Sequence, residues 1–172
     1  LTKYLLKGIQ NLAAAGAEVG ALACNTGHMV FNELQKQSPI PLVSIVETAC
    51  AEAKRQGLKK IGLLGTAATM EDNYFKIPFE KAGIEIKIPK QTERDYIADH
   101  ILSELELGIV KEETVNHFVE IVEEMSKIQN IDAVILGCTE LPLIFEGRNL
   151  SIPSLDTMQL HIQALIKTIL EE

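Results

Sequence analysis

Short apolar runs recur along this chain, separated by amphipathic stretches. Residues 19–23, 60–64 and 133–136 are the clearest of them. A strand with one face in water alternates apolar and polar residues, so a nearly unbroken apolar run fits a strand covered on both faces. Covering both faces of a sheet requires helices above and below it, and the stretches between the runs carry apolar residues at helical spacing. The pattern predicts an α/β protein with a mainly parallel sheet.

The helical stretches have readable ends. Thr2 is placed to cap a helix with Leu5, Leu6, Ile9, Leu12 and Ala13 on one face, which Gly16 stops. A second helix with Met29, Val30, Phe31 and Leu34 follows the turn at residues 24–27. Further helices are predicted over 47–56, from the loop at 66–69 through 82, over 93–107, 112–129 and 156–170, with short strands at 40–45 and 84–88. A proline-containing segment at 141–147 leads through Ile152 and Pro153 to the last helix. The boundary between two units is expected after Ser38. It gives 1–40 as what is present of a first lobe and 41–155 as a second, with the C-terminal helix 156–172 free to return to the first.

Charge excludes one class of function. The formal net charge is −8 and lysine and arginine form no cluster, whereas phosphate binding draws its affinity from concentrated basic charge. No apolar run approaches the roughly 20 residues that span a bilayer, and two lysines interrupt the opening ten residues, so neither a membrane span nor a signal peptide is read; a cytoplasmic protein is expected. Residues 62–69 lack the lysine of a phosphate loop and the third glycine of a dinucleotide fingerprint. His100, His117 and His161 fall on separate helices without ligand spacing, and residues 120–124 read as a solvated helix face.

The three cysteines have no C-x-x-C spacing and read as free thiols. Cys50 sits mid-helix and reads as core. Cys24 and Cys138 differ from it, because each follows an apolar strand and precedes a polar pair: Asn25-Thr26 in one case, Thr139-Glu140 in the other. In parallel α/β sheets that strand edge is where ligands bind, and a following helix supplies amide donors and partial positive charge. Such a setting is expected to lower a thiol's pKa from about 8.5 and to suit an anionic substrate. Inverting an α-carbon without a cofactor needs a base on one face and an acid on the other, and two thiols can exchange those roles.

At these residues the chain resembles the aspartate/glutamate racemase superfamily, whose hallmark is a C-N-T turn in one lobe and a G-C-T turn in the other. Here they read Cys24-Asn25-Thr26 and Gly137-Cys138-Thr139, and the likeness extends along the chain through residues 64–70 and 135–142. Glutamate racemases usually carry histidine after the second turn; Glu140 in that place makes the chain more similar to the aspartate racemase branch. The resemblance implies two pseudo-symmetric α/β lobes around the substrate, no pyridoxal phosphate and no metal, a small amino acid as partner, and a homodimer as the expected assembly. It implies Cys24 and Cys138 as catalytic bases, with Asn25, Thr26, Thr66, Thr69, Thr139 and Glu140 as substrate-binding residues. Family members also begin with a strand and a glycine-rich turn. The chain starts at Leu1 without them, so the first lobe is expected to lack its leading strand.

Several readings stay open. His28 reads as a capping or packing residue, or as one that orients the first cysteine turn. Glu140 reads as a partner of the substrate amine or the second thiol, or as a carboxylate placed by a helix dipole. Relatives often place a base beside the glycine matching Gly108, where this chain has Ile109 and then Lys111. Racemisation of aspartate or glutamate is the leading activity. Hydantoin racemase, maleate isomerase or decarboxylase chemistry, and a non-catalytic amino-acid-binding module, are the alternatives.

Overall fold

Strands β3 (Lys60–Leu64) and β5 (Ala133–Leu136) lie side by side in parallel, with Ile61 opposite Ala133 and Leu64 opposite Leu136. Their pairing is the centre of a four-stranded parallel sheet in the order β4-β3-β5-β6, where β4 is Glu85–Lys87 and β6 is Ser154–Asp156. Side chains alternate across a strand. Ile61, Leu63, Ala133 and Ile135 therefore meet α3 (Ile45–Arg55) and α5 (Asn73–Lys81) through Ala49, Phe75 and Phe79. Leu64, Val134 and Leu136 face the other way, toward α6 (Gln91–Ser103) and α7 (Glu112–Gln129) through Ile97, Phe118 and Val122. Every residue of β5 is buried, which is why its sequence carries no polar alternation.

This computed structural model describes residues 1–170. Its second sheet is small. β1 (Gly20–Ala21) pairs in parallel with β2 (Leu42–Val43), and Ile9 of α1 (Thr2–Ala14) packs with Leu22, Leu42 and the Phe31 and Leu34 of α2 (Phe31–Gln37) into a separate core. The chain is an α/β protein with parallel sheets. Among the described residues no helix is long and apolar enough to cross a membrane.

Several elements differ from the sequence reading. The strand expected over 19–23 is ordered as strand for two residues only, and Ala23 is exposed: β2 is its one partner among the described residues, so it is not covered as a central strand is. Thr2 does not cap α1; it lies within the helix, and its hydroxyl donates to the Glu33 carboxylate at 3.0 Å. α3 starts two residues before 47, because the Ser44 hydroxyl accepts the Glu47 amide and caps it. The helix expected from 66 through 82 is two, α4 (Ala67–Glu71) and α5, broken where Asp72 takes an extended ψ of 156°. Asp72 and Asn73 are residue types that compete with helical backbone bonding. β6 lies where the sequence predicts only the lead-in to the last helix and that helix's first residue, Asp156; Pro153 precedes the strand and Leu155 alone of its residues is buried, as an edge strand allows.

β2 falls beyond the boundary expected after Ser38, yet its ladder is with β1. The last helix, α9 (Thr157–Leu170), lies against α3 and reaches back to β2, where His161 Nε2 donates to the Val43 carbonyl at 2.9 Å. Residues 171 and 172 of that expected helix-bearing segment lie outside the described residues.

Candidate active site

Cys24 stands three residues beyond β1 and is exposed. The chain turns at once into a 3₁₀ helix, Thr26–Val30. Asn25 is buried, and its amide donates to the Thr157 hydroxyl at 3.1 Å, which in turn donates to the Leu136 carbonyl at 2.7 Å. The first cysteine turn is thereby tied to the end of β5. Asn25 Oδ1 is buried without a hydrogen-bond partner among the described residues. His28 is buried as well, with Nδ1 2.9 Å from the Cys24 carbonyl and Nε2 accepting the Ile45 amide at 3.1 Å. Burial lowers its pKa to about 4.

The second turn is organised differently. Gly137 follows β5, and its amide donates to the Leu64 carbonyl at 2.7 Å, drawing the ends of β5 and β3 together. Cys138 is 8% exposed, and its thiol donates to Glu140 Oε2 at 2.9 Å while the Thr139 hydroxyl donates to Oε1 at 2.8 Å. The expectation of a lowered thiol pKa is overturned here: burial, and then the bond to the Glu140 carboxylate, push Cys138 up to about 12. The helix that follows, α8 (Pro142–Phe145), has four residues, while a carboxylate lies directly against the sulfur. A neighbouring anion favours the protonated thiol.

A line of hydroxyls runs between the turns. The Thr26 and Thr66 hydroxyls are 3.1 Å apart, those of Thr66 and Thr69 3.2 Å, and those of Thr69 and Tyr74 2.9 Å. Thr66 also caps α4 by accepting the Thr69 amide. Tyr74 was not singled out in the sequence. Burial raises its pKa to about 12, and its hydroxyl ends the line through its bond with Thr69. Nothing in residue spacing announces it, because the break at Asp72 sets its direction.

The remaining candidates lie in other pairings. Lys111 donates to Glu104 Oε1 at 2.8 Å, and Thr114 donates to the other oxygen at 2.6 Å. His100 and His117, apart in sequence, meet around Tyr96, with ring centroids 3.8 and 4.4 Å from it. Cys50 is buried in the core, its thiol 3.5 Å from the Pro78 carbonyl. Among the described residues no group of three or more His, Cys, Asp and Glu side chains converges as metal ligands would. A cavity of about 460 Å³ adjoins the second turn and is lined by Ala21, Ala23, Ile45, Thr139, Glu140 and His161 among others.

A family model described as Asp/Glu/Hydantoin racemase matches residues 2–165. The chain belongs to this racemase family. Its structure superposes on that of an aspartate racemase homologue from Pyrococcus horikoshii OT3 with a TM-score of 0.86 and 35% identity, over 97% of this chain and 73% of that one. In sequence it is 29% identical to the glutamate racemase of Aquifex pyrophilus, over 84% of this chain and 54% of the relative. It is 25% identical to the broad specificity amino-acid racemase RacX of Bacillus subtilis, over 99% of this chain and 73% of that protein. The chain thus spans about half the length of the glutamate racemase it matches.

Proposed function

We propose that this racemase-family chain carries the machinery of a cofactor-independent amino-acid racemase acting on aspartate, or on glutamate, by proton transfer between Cys24 and Cys138. The observation that carries the reading is the tie between the two cysteine turns: Asn25, next to Cys24, bonds the Thr157 hydroxyl, which bonds the Leu136 carbonyl at the end of β5, two residues before Cys138, and inversion at a carbon requires an acid and a base. In one direction the Cys24 thiolate takes the proton from the α-carbon. The electron pair of the broken C–H bond spreads into the carboxylate, and the Cys138 S–H delivers its proton to the opposite face. The reverse direction exchanges the two roles. Thr26, Thr66, Thr69 and Thr139 supply hydroxyls for the substrate carboxylates, and Asn25 Oδ1 is the acceptor for its ammonium group. Aspartate comes first because Glu140 stands after the second turn and because the Pyrococcus horikoshii relative is an aspartate racemase homologue.

The test is incorporation of solvent deuterium at the α-carbon of L- and D-aspartate and of L- and D-glutamate, with Cys24→Ala and Cys138→Ala alongside. Incorporation by the wild type, with racemisation lost in both variants, is the expected result. Isomerisation or decarboxylation of a related acid without α-exchange would replace this reading with the alternative chemistry. Thermal stabilisation by an amino acid with no exchange at all would leave a binding module.

A further inference from the structure

His28 has both ring nitrogens committed, and the two commitments fix its state. The Ile45 amide is a donor, so Nε2 must be the bare nitrogen; the Cys24 carbonyl is an acceptor, so Nδ1 must carry the proton. The imidazole is therefore neutral. Its ring stacks on Phe31 at 5.0 Å with planes 8° apart, and the His161 ring meets it edge-on at 6.2 Å. Ile45 is the first residue of α3, whose leading amides have no partner inside the helix. His28 takes one and the Ser44 hydroxyl takes another.

The connection matters because of what lies at each end. β1 ends three residues before Cys24, so no strand ladder holds the cysteine among the described residues. α3, by contrast, belongs to the core built on β3 and β5, and β5 leads to Cys138. We propose that His28 is the positioning residue of Cys24: bridging the Cys24 carbonyl and the first amide of α3, it fixes the first cysteine turn against the core that presents the second. The proposal rests on Cys24 acting as an acid/base thiol.

Three variants separate its parts. His28→Leu removes both bonds at similar bulk, His28→Asn returns a donor for the Cys24 carbonyl, and His28→Gln returns an acceptor for the Ile45 amide. Racemisation gives kcat and KM, and iodoacetamide alkylation of each cysteine, followed by mass spectrometry, gives a readout that needs no turnover. In His28→Leu, kcat falls roughly 10- to 100-fold with KM within about twofold, the scale of a misplaced reacting group. Cys24 alkylation accelerates while Cys138 and Cys50 keep their rates, and His28→Asn recovers part of both effects. A folded His28→Leu with wild-type kcat and wild-type Cys24 alkylation overturns the proposal. So does equal acceleration at all three cysteines, which is general loosening. If the wild type racemises none of the tested amino acids, the racemase reading falls, while the selectivity of the alkylation still decides the role of His28.

Discussion

Cys24 and Cys138 are one residue type in opposite settings: the first is exposed, the second is 8% exposed and bonded to a carboxylate. Glu140 holds the Cys138 proton in place, which makes Cys138 the acid and Cys24 the base of the resting site under the proposed mechanism. Replacing Glu140 by Gln removes the anion and leaves the burial, so the Cys138 thiol should titrate lower than in the wild type yet above an ordinary thiol. The pH midpoint of its alkylation measures this, and an unchanged midpoint would remove Glu140 from the account. The sign carries over to folding. A thiol held at about 12 in the native state loses its proton first in the unfolded chain, whose value is 9.0. Its contribution to stability is present below pH 9 and is lost as pH rises toward 12, with a smaller loss in Glu140→Gln. Residue type and neighbours made both cysteines legible in the sequence. That Glu140 turns toward the sulfur, and that Tyr74 joins the line of threonine hydroxyls, depends on rotamers and a helix break that no spacing encodes.

At the scale of elements, β3, β5 and α7 have the limits that their sequences predict, because burial on both faces or a long apolar stripe leaves them one solution. Elements held by few contacts were harder to read, and β1, β6 and the α4–α5 break are the examples. The join of β3 and β5 gives a direct test. A Cβ on Gly137 would lie 2.7 Å from the Leu64 carbonyl oxygen, 2.9 Å from Leu63 Cδ1 and 3.0 Å from Thr69 Cγ2. Since the nearest atom is backbone, Gly137→Ala must spread the strand ends, at a cost of about 1–3 kcal/mol. Gly8, inside α1, has nothing within 4 Å of the same added atom. Gly8→Ala should therefore stabilise by about 0.5–1 kcal/mol through helix propensity. Urea denaturation of the pair checks both signs, and equal effects would show that the close approach at Gly137 is not a constraint.

Across the whole molecule, the two sheets rest on unequal cores. The small one buries Ile9, Leu22, Phe31, Leu34 and Leu42, whereas four phenylalanines and both faces of β5 fill the large one. Ties between them come from residues far apart in sequence: Asn25 to Thr157, 132 residues away, Thr26 to Thr66, and His161 to Val43. A boundary can be anticipated from composition, but such ties cannot, because each becomes visible only when the sheets are in place. Their consequence is a gradient of stability. Two-residue strands make few ladder bonds, and regions with few buried apolar contacts open locally at lower free energy than the global transition. Native-state hydrogen exchange should show the amides of α1, α2, β1 and β2 opening well below the free energy at which β3 and β5 exchange. Asn25→Ala sharpens the test, because it removes one tie and leaves the Thr157 bond to Leu136 intact. Losing a buried hydrogen bond should lower protection around β1 by about 1 kcal/mol, with β3 and β5 unmoved. Uniform protection across both sheets, or an equal fall in both, would mean that they unfold as one unit and that the cysteine turns are held by global stability instead of by these ties.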